Sequence, residues 1–231
     1  VLIDCVTELS SQEDADQAVD NLLKIVTEYF KGDRAYIFEM DYEEDLVHNT
    51  YEYAAEGVTK EIDNLRNVPL GVVQDWITML HERGMFYISN LDEEKDQEDS
   101  RTYDILKAQN ISSLIAVPLK KDEKVTGFFG VDNPREHYRD FQLLSSIQFF
   151  IMNRLENKTR QEQLQYLSYR DMLTNLYNRN RYMKMLEAYR GVTFKNIGVV
   201  YIDLNGLKQV NDEQGHEAGD SFIRRAAQQI V

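Results

Sequence analysis

The chain has one cysteine, three prolines and one tryptophan in 231 residues. The lone Cys5 excludes an internal disulfide and fits a reducing, cytoplasmic setting. No stretch approaches the ~18 apolar residues of a membrane span, so no membrane partner is expected within this segment. No signal leader is visible either, because apolar residues alternate with Asp and Glu over the first twenty positions. Basic residues are scarce, 26 against 40 acidic ones, for a net charge of −14. That field disfavours nucleic acid or an anionic membrane surface as a partner, since phosphate binding needs the opposite sign. With 42% hydrophobic residues the chain supports a packed core and is not an acidic disordered tail. It begins at Val1 rather than Met and stops inside an apolar-periodic run (Phe222, Ile223, Ala226, Ala227, Ile230) without a Gly, Asn or Pro stop signal. The expectation is a piece of a longer protein.

Charge divides what is there. Residues 1–155 carry 15 basic and 31 acidic side chains, whereas 156–231 carry 11 and 9, and all three prolines lie in the first part. Such a shift signals a domain boundary. The one low-complexity stretch, Asp92–Asp99 (DEEKDQED), reads as a solvated loop, because no Gly-punctuated cation-ligand pattern surrounds it.

Apolar residues at helical spacing, Ala15 through Phe30, predict an amphipathic helix over 12–31, ended by Gly32. Arg34–Met40 and Leu46–Tyr53 read as strands around an acidic turn. A helix is expected over 71–83, a short strand over 85–88 and a helix over 99–109. Ile111–Leu119 and Lys124–Asp132 form a hairpin, and a long helix runs from about Tyr138 to Tyr169. His48, His81 and His137 are too widely separated to form a short-spaced metal pair, and they read as ordinary histidines.

Three stretches, KGDRAYIFEMD (31–41), NISSLIAVPL (110–119) and VTGFFGVDNPR (125–135), resemble a GAF domain over about residues 8–155. The resemblance implies a central antiparallel sheet flanked by helices, with a pocket on one face, in a sensory module. The signature of cyclic-nucleotide-binding members is not evident. Cys5 precedes the first predicted helix and is poorly placed to hold a bilin. The GAF ligand is unknown, and the pocket could equally be filled by its own side chains.

Phe141, Leu144, Ile147, Ile151 and Leu155 recur at steps of three and four along the long helix. Two readings stay open: the stripe packs on its own sheet, or it also pairs with a second copy as a short coiled coil.

The densest chemistry lies in YIDLNGLKQVNDEQGHEAGD, Tyr201–Asp220. It follows an expected buried strand, Ile197–Ile202, which would put Asp203 at a strand's carboxyl end. Gly206 opens a turn whose N–H groups, with Lys208, can hold phosphate oxygens. Mg2+ typically takes one or two carboxylates and fills its shell with phosphate and water, and Asp203 supplies one. An EF-hand loop starting at Asp203 fails, because Lys208 and Gln214 occupy the positions that need Gly and Glu.

This segment, with the upstream run Asp171–Arg179 (DMLTNLYNR), closely resembles the amino-terminal half of a GGDEF domain, the diguanylate cyclase family, over about 168–231. The family condenses two GTP into cyclic di-GMP across a dimer interface. The resemblance implies that Asp203 is catalytic and holds Mg2+ (or Mn2+), with the Leu204 carbonyl as a second ligand. It puts Gly206, Leu207 and Lys208 beside the phosphates, and Asn211, His216 and Asp220 beside the guanine and ribose. Asn178 and Arg179 read as structural. Many members carry Asp where this chain has Asn205 and Phe where it has Gly206. The Gly-Gly-(Asp/Glu)-Glu-Phe signature is not among the 231 residues.

The sequence thus predicts an α/β (α+β) chain in three parts. A GAF sensor occupies 1–155 with its last helix running on from about 138, a helical linker 156–169, and the first part of a GGDEF domain 170–231. The expected function is the regulatory part of a GAF-controlled diguanylate cyclase, inactive alone. It would bind GTP and dimerise through the 138–169 helix. The alternative is a non-catalytic signalling module whose degenerate GGDEF domain binds nucleotide or a partner.

Overall fold

The structure, a computed structural model, describes residues 1–12, 14–93, 100–193 and 195–230. Most of the acidic run that ends at Asp99 lies outside the described residues. The chain forms two compact units, Val1–Asn157 and Lys158–Val231.

The first unit is built on six strands: β1 (Arg34–Asp41), β2 (Leu46–Ala54), β3 (Val68–Pro69), β4 (Phe86–Ile88), β5 (Leu114–Lys121) and β6 (Lys124–Asp132). Their order is β3-β2-β1-β6-β5-β4, and every neighbouring pair is antiparallel. The β5–β6 turn places Asp122 and Glu123 both at positive φ, as a tight two-residue hairpin turn requires. Helices α1 (Leu2–Ser11), α2 (Ala15–Phe30), α3 (Gln74–Arg83), α4 (Ser100–Ala108) and the long α5 (Phe141–Tyr169) complete the order, with single 3₁₀ turns at Leu70–Val72 and Leu91–Glu93.

Both faces of the sheet are buried, which explains why the central strands read as nearly continuous apolar runs. Alternate residues serve two separate cores. Ala35 and Ile37 of β1, Ile115, Val117 and Leu119 of β5, and Phe129 and Val131 of β6 face one core with Cys5, α2 and Leu144, Ile147 and Ile151 of α5. Tyr36, Phe38, Ala116 and Phe128 face the other, with Trp76 and Leu80 of α3, Leu106 of α4 and Ile111.

Several boundaries have local causes. Asp14 caps α2 by accepting from the amides of Asp16 (2.9 Å) and Gln17 (3.3 Å). The left-handed residue that ends α2 is Lys31, not Gly32. Gly32 is needed for a different reason: a Cβ there would stand 2.5 Å from Val131 Cγ1 and 3.0 Å from the Asp132 carbonyl. Helix α1, which the alternating acidic pattern hid, buries Cys5 and Leu9 one turn apart.

Two expectations are corrected or resolved. Leu144, Ile147 and Ile151 are fully buried in the sheet's own core, so a seam between two copies cannot be built on them. Residues 197–202 form no strand: Val199, Val200 and Tyr201 are exposed. A strand needs a neighbour for its backbone groups. Among the described residues of the second unit the only β-pairing is the isolated bridge Arg170↔Tyr177.

That second unit is otherwise helical, with α6 (Arg179–Ala188), α7 (Leu207–Gln214) and α8 (His216–Gln228) following the end of α5. Asn178 stitches its entry. Its Oδ1 accepts from the amides of Asn180 (3.0 Å) and Arg181 (3.2 Å), and its Nδ2 donates to the carbonyls of Ser168 (2.9 Å) and Arg170 (3.1 Å).

Urea unfolding of the first unit, followed on the single Trp76, should separate the two sides of α5. Ile151→Ala should lose about 2–5 kcal/mol, the cost of emptying a packed core site. Phe149→Ala, at a side chain 62% exposed, should change stability by no more than about 0.5 kcal/mol. Equal losses would show that α5 packs otherwise.

Candidate functional site

The register of β1 with its neighbours gathers charged groups on one sheet face. Arg34 pairs with Asp132 across β1–β6, and Tyr36 pairs with Glu52 across β1–β2. Between Ile37 and Phe38 the register slips, with Tyr51 opposite Ile37 and Asn49 opposite Phe38. The extra residue, Thr50, is a β-bulge and donates through its hydroxyl to the Ile37 carbonyl (3.3 Å). The bulge is what lets Asn49 and Glu52, three apart in sequence, face the same way.

The result is a cavity of about 50 Å³ with an apolar wall and a charged end. Phe38, Phe128 and Trp76 belong to the wall, with Phe38 and Phe128 stacked at 4.7 Å and Trp76 on Phe86 at 4.9 Å. At the other end Arg34 Nε donates to Asp132 Oδ2 at 3.0 Å, and both side chains are almost wholly buried. The same guanidinium donates to the carbonyls of Gln109 (3.0 Å) and Thr59 (3.4 Å), and stands 3.8 Å from Glu61 Oε1. Glu52 accepts from Asn49 Nδ2 (2.7 Å) and from the Glu61 amide (2.9 Å). Asn49 Oδ1 and Asp132 Oδ1 are buried without a hydrogen-bond partner.

Burial pushes the Asp132 carboxyl up to about 7, against the pull of the Arg34 guanidinium and the Tyr36 hydroxyl. Burial and the nearby Asp132 charge likewise raise the Tyr36 phenol well above its ordinary value. None of these residues was singled out in the sequence. The available signal was a pair of charges at strand ends, Arg34 opening RAYIFEMD and Asp132 closing KVTGFFGVD, at positions whose alternation points inward. Cys5 lies in the opposite core, where burial raises its thiol to about 11, so it has no part in this cavity. The asparagine of VDNPR is structural. Asn133 accepts from the amides of Ser112 (2.8 Å) and Ser113 (3.1 Å), and donates to Asp33 Oδ2 (2.7 Å).

In the second unit the expected output residues fall on one short segment and two helices. Asp203 is exposed and Leu204 half-buried, just before the turn. Gly206 adopts φ 82° and begins α7 without a side-chain cap, so the first-turn N–H groups of Leu207 and Lys208 are not covered by a capping side chain. Gly215, at φ 85°, turns α7 directly into α8. The two helices meet where Asn211 lies on Gly219: a Cβ on Gly219 would overlap the Asn211 amide. Asn211 is half-buried at this contact, whereas Lys208, His216 and Asp220 stand exposed. Upstream, Asp171 Oδ1 accepts from the Thr174 hydroxyl (2.8 Å), the Thr174 amide (2.9 Å) and the Leu173 amide (3.2 Å), and these bonds lower its pKa. Among the described residues no three His, Cys, Asp or Glu side chains are grouped to hold a metal ion. A single exposed carboxylate at Asp203 remains compatible with Mg2+, whose other ligands come from phosphate and water. No helix is long and apolar enough to cross a membrane among the described residues.

Comparison with known proteins assigns each unit. The family model for the GAF domain matches residues 14–155, and that for "Diguanylate cyclase, GGDEF domain" matches 168–231. An uncharacterized protein of Mycobacterium tuberculosis is 31% identical over 124 residues, covering 52% of this chain and 20% of its own length. Escherichia coli K12 supplies two further relatives. "Probable diguanylate cyclase DgcE" is 37% identical over 75 residues (31% of this chain, 7% of its own), and "Cyclic di-GMP phosphodiesterase PdeR" is 36% identical over 77 (33% and 12%). The chain thus spans a fifth or less of the length of these relatives. The phycoerythrobilin-bound GAF domain of a cyanobacterial phytochrome has the same fold, with a TM-score of 0.56 at 13% identity over 70% of this chain and 95% of that one. Free methionine-R-sulfoxide reductase of Neisseria meningitidis gives 0.52 at 16% identity over 69% and 89%. The chain belongs to the GAF domain family, and its GAF domain is followed by a partial GGDEF domain of the diguanylate cyclase family.

Proposed function

We propose that this chain is the sensory and amino-terminal output portion of a GAF-controlled diguanylate cyclase, which in a longer protein condenses two GTP into cyclic di-GMP. In this reading residues 1–155 are the sensor, 156–169 a helical linker and 170–231 the first part of the cyclase domain. The observation that carries it is the uncapped start of α7 at Gly206, three residues after the exposed Asp203 and followed by Lys208. N–H groups at a helix start and a lysine hold phosphate oxygens, and the carboxylate completes a triphosphate site.

The reaction is attack of a ribose 3′-hydroxyl on an α-phosphate with loss of pyrophosphate. Mg2+ (or Mn2+), when bound by Asp203 and the Leu204 carbonyl, would neutralise charge on the phosphate oxygens. Leu207 and Lys208 hold the triphosphate against the α7 terminus. Asp220 accepts from the N–H groups of guanine that adenine lacks, and Asn211 and His216 border the base and ribose. Each domain holds one GTP, so two copies must face each other.

A non-catalytic reading has one observation in its favour. A relative named as a cyclic di-GMP phosphodiesterase shares 36% identity over 77 residues, so likeness of this kind does not by itself fix the output. Asp203, Lys208 and Asp220 are nevertheless all present, and a site released from catalysis would be free to lose them.

Incubated with GTP and Mg2+, the 231-residue chain should make no cyclic di-GMP, whereas a longer protein carrying the GGDEF signature should. In that longer protein Asp203→Ala should lower kcat about 100-fold or more, since removing a metal-binding carboxylate costs several kcal/mol of transition-state stabilisation. Asp220→Ala should chiefly raise KM. Full activity in Asp203→Ala would favour the non-catalytic reading.

Dimerisation through the linker is tested on its exposed apolar residues, Leu164 (60%) and Leu167 (56%), rather than on the buried Ile147 and Ile151. Leu164→Lys with Leu167→Lys should give a monomer in sedimentation at micromolar concentration with circular dichroism unchanged. A variant that stays dimeric would place the interface elsewhere.

A further inference from the structure

The cavity of the first unit carries chemistry that the family assignment leaves unspecified. The donor groups of Arg34, Asn49 and Glu61 at its charged end all meet protein acceptors, and the Tyr36 hydroxyl lies beside Asp132. The Arg34 guanidinium is held by Asp132, Gln109 and Thr59, Asn49 Nδ2 by Glu52, and the Glu61 amide by Glu52. The two atoms left over, Asn49 Oδ1 and Asp132 Oδ1, are both acceptors, on side chains 2% exposed. Charge points the same way, since one guanidinium faces the carboxylates of Asp132, Glu52 and Glu61. An unmatched buried acceptor costs ~1–3 kcal/mol, which a donor recovers and an anion aggravates. The aromatic side chains of Trp76, Phe38 and Phe128 on the opposite wall suit an apolar tail.

We propose that this cavity binds a small organic cation, a primary ammonium on a short apolar chain, with its head at the Asn49–Asp132 end and its tail against Trp76 and Phe128. A volume of about 50 Å³ suits a molecule of a few heavy atoms, smaller than the benzene-sized occupant of a ~150 Å³ cavity. Phosphate-bearing and carboxylate ligands are rejected by the same carboxylates. The proposal deepens the sensor reading of the GAF unit, but binding itself requires no cyclase output.

Proton linkage adds a check. The groups facing Asp132 are Arg34 and Tyr36 of β1, Glu52 of β2 and Glu61 of the following loop. With its carboxyl raised to about 7, a bound proton competes with the cation, so affinity should rise as pH increases through that value.

Trp76 is the only tryptophan and lines the cavity, so its fluorescence reads occupancy directly in the 231-residue chain. Titration with propylammonium chloride should give a saturable change with a dissociation constant on the order of 1 mM, a realistic strength for four heavy atoms. Sodium propionate at matched ionic strength should give none. Asp132→Asn should weaken propylammonium binding about tenfold or more. Since that change also touches the Arg34 pair, Val72→Phe provides an independent arm. It fills the cavity from a half-buried rim position and should abolish the saturable change while circular dichroism stays native. The absence of a saturable response in the unmodified chain, or an equal response to propionate, would overturn the proposal and leave the two acceptors to water. So would undiminished binding in a folded Val72→Phe. Failure here would leave the cyclase reading standing, and a failed cyclase assay would leave this binding result standing.

Discussion

Arg34 and Asp132 hold the first unit together at its most expensive point. They sit side by side on the two central strands, almost wholly out of water, and join at 3.0 Å. The same guanidinium reaches the carbonyls of Thr59 and Gln109, so one buried cation ties β1 and β6 to the loop after β2 and to the residues after α4. Removing one partner of such a pair costs ~3–5 kcal/mol, because the other charge is stranded. Replacing both by apolar residues could be cheaper. A pair kept where a hydrophobic pair would serve stability points to a use for the polarity, and the cavity beside it supplies one.

The two faces of the sheet divide the labour. One is packed tight by α2 and the first half of α5, with Phe30, Ile37, Ile147 and Ile151 fully buried. The other carries the cavity, and the bulge at Thr50 turns two polar residues of β2 into it. Among the described residues, Leu144, Ile147 and Ile151 of α5 are buried in the core of the closed face. An event in the cavity therefore has to cross the sheet to reach α5, and Tyr36–Ile37 on β1 and Phe128–Phe129 on β6 are adjacent pairs whose members face opposite cores.

Much of this was legible in the sequence. Alternating and helical spacing located β1, β2, β6 and α2–α5 to within a few residues, because their apolar patterns are long and regular. Helix α1 was missed because its acidic residues interrupt the stripe that Cys5 and Leu9 complete. The Ile147–Ile151 stripe was visible, but its destination was not, because a helix face that packs on its own sheet and one that packs on a partner have the same spacing. The charged end of the cavity was invisible for a different reason. Asn49 and Glu52 share a face only through the bulge, and a bulge has no fixed signature in a polar strand such as LVHNTYEYA. In the second unit, motif residues were easy to identify and hard to arrange. Residues 197–202 have a strand's composition, but composition supplies no pairing partner.

The Arg34–Asp132 end of the cavity is buried and leaves two acceptor atoms, Asn49 Oδ1 and Asp132 Oδ1, without a protein partner. Carboxyl 13C NMR of Asp132 in the unliganded chain tests this burial most directly. A titration midpoint near 7 is the expected result, since burial outweighs the neighbouring guanidinium. A midpoint near the ordinary aspartate value of ~3.9 would show that water solvates the carboxylate freely, and would contradict the account.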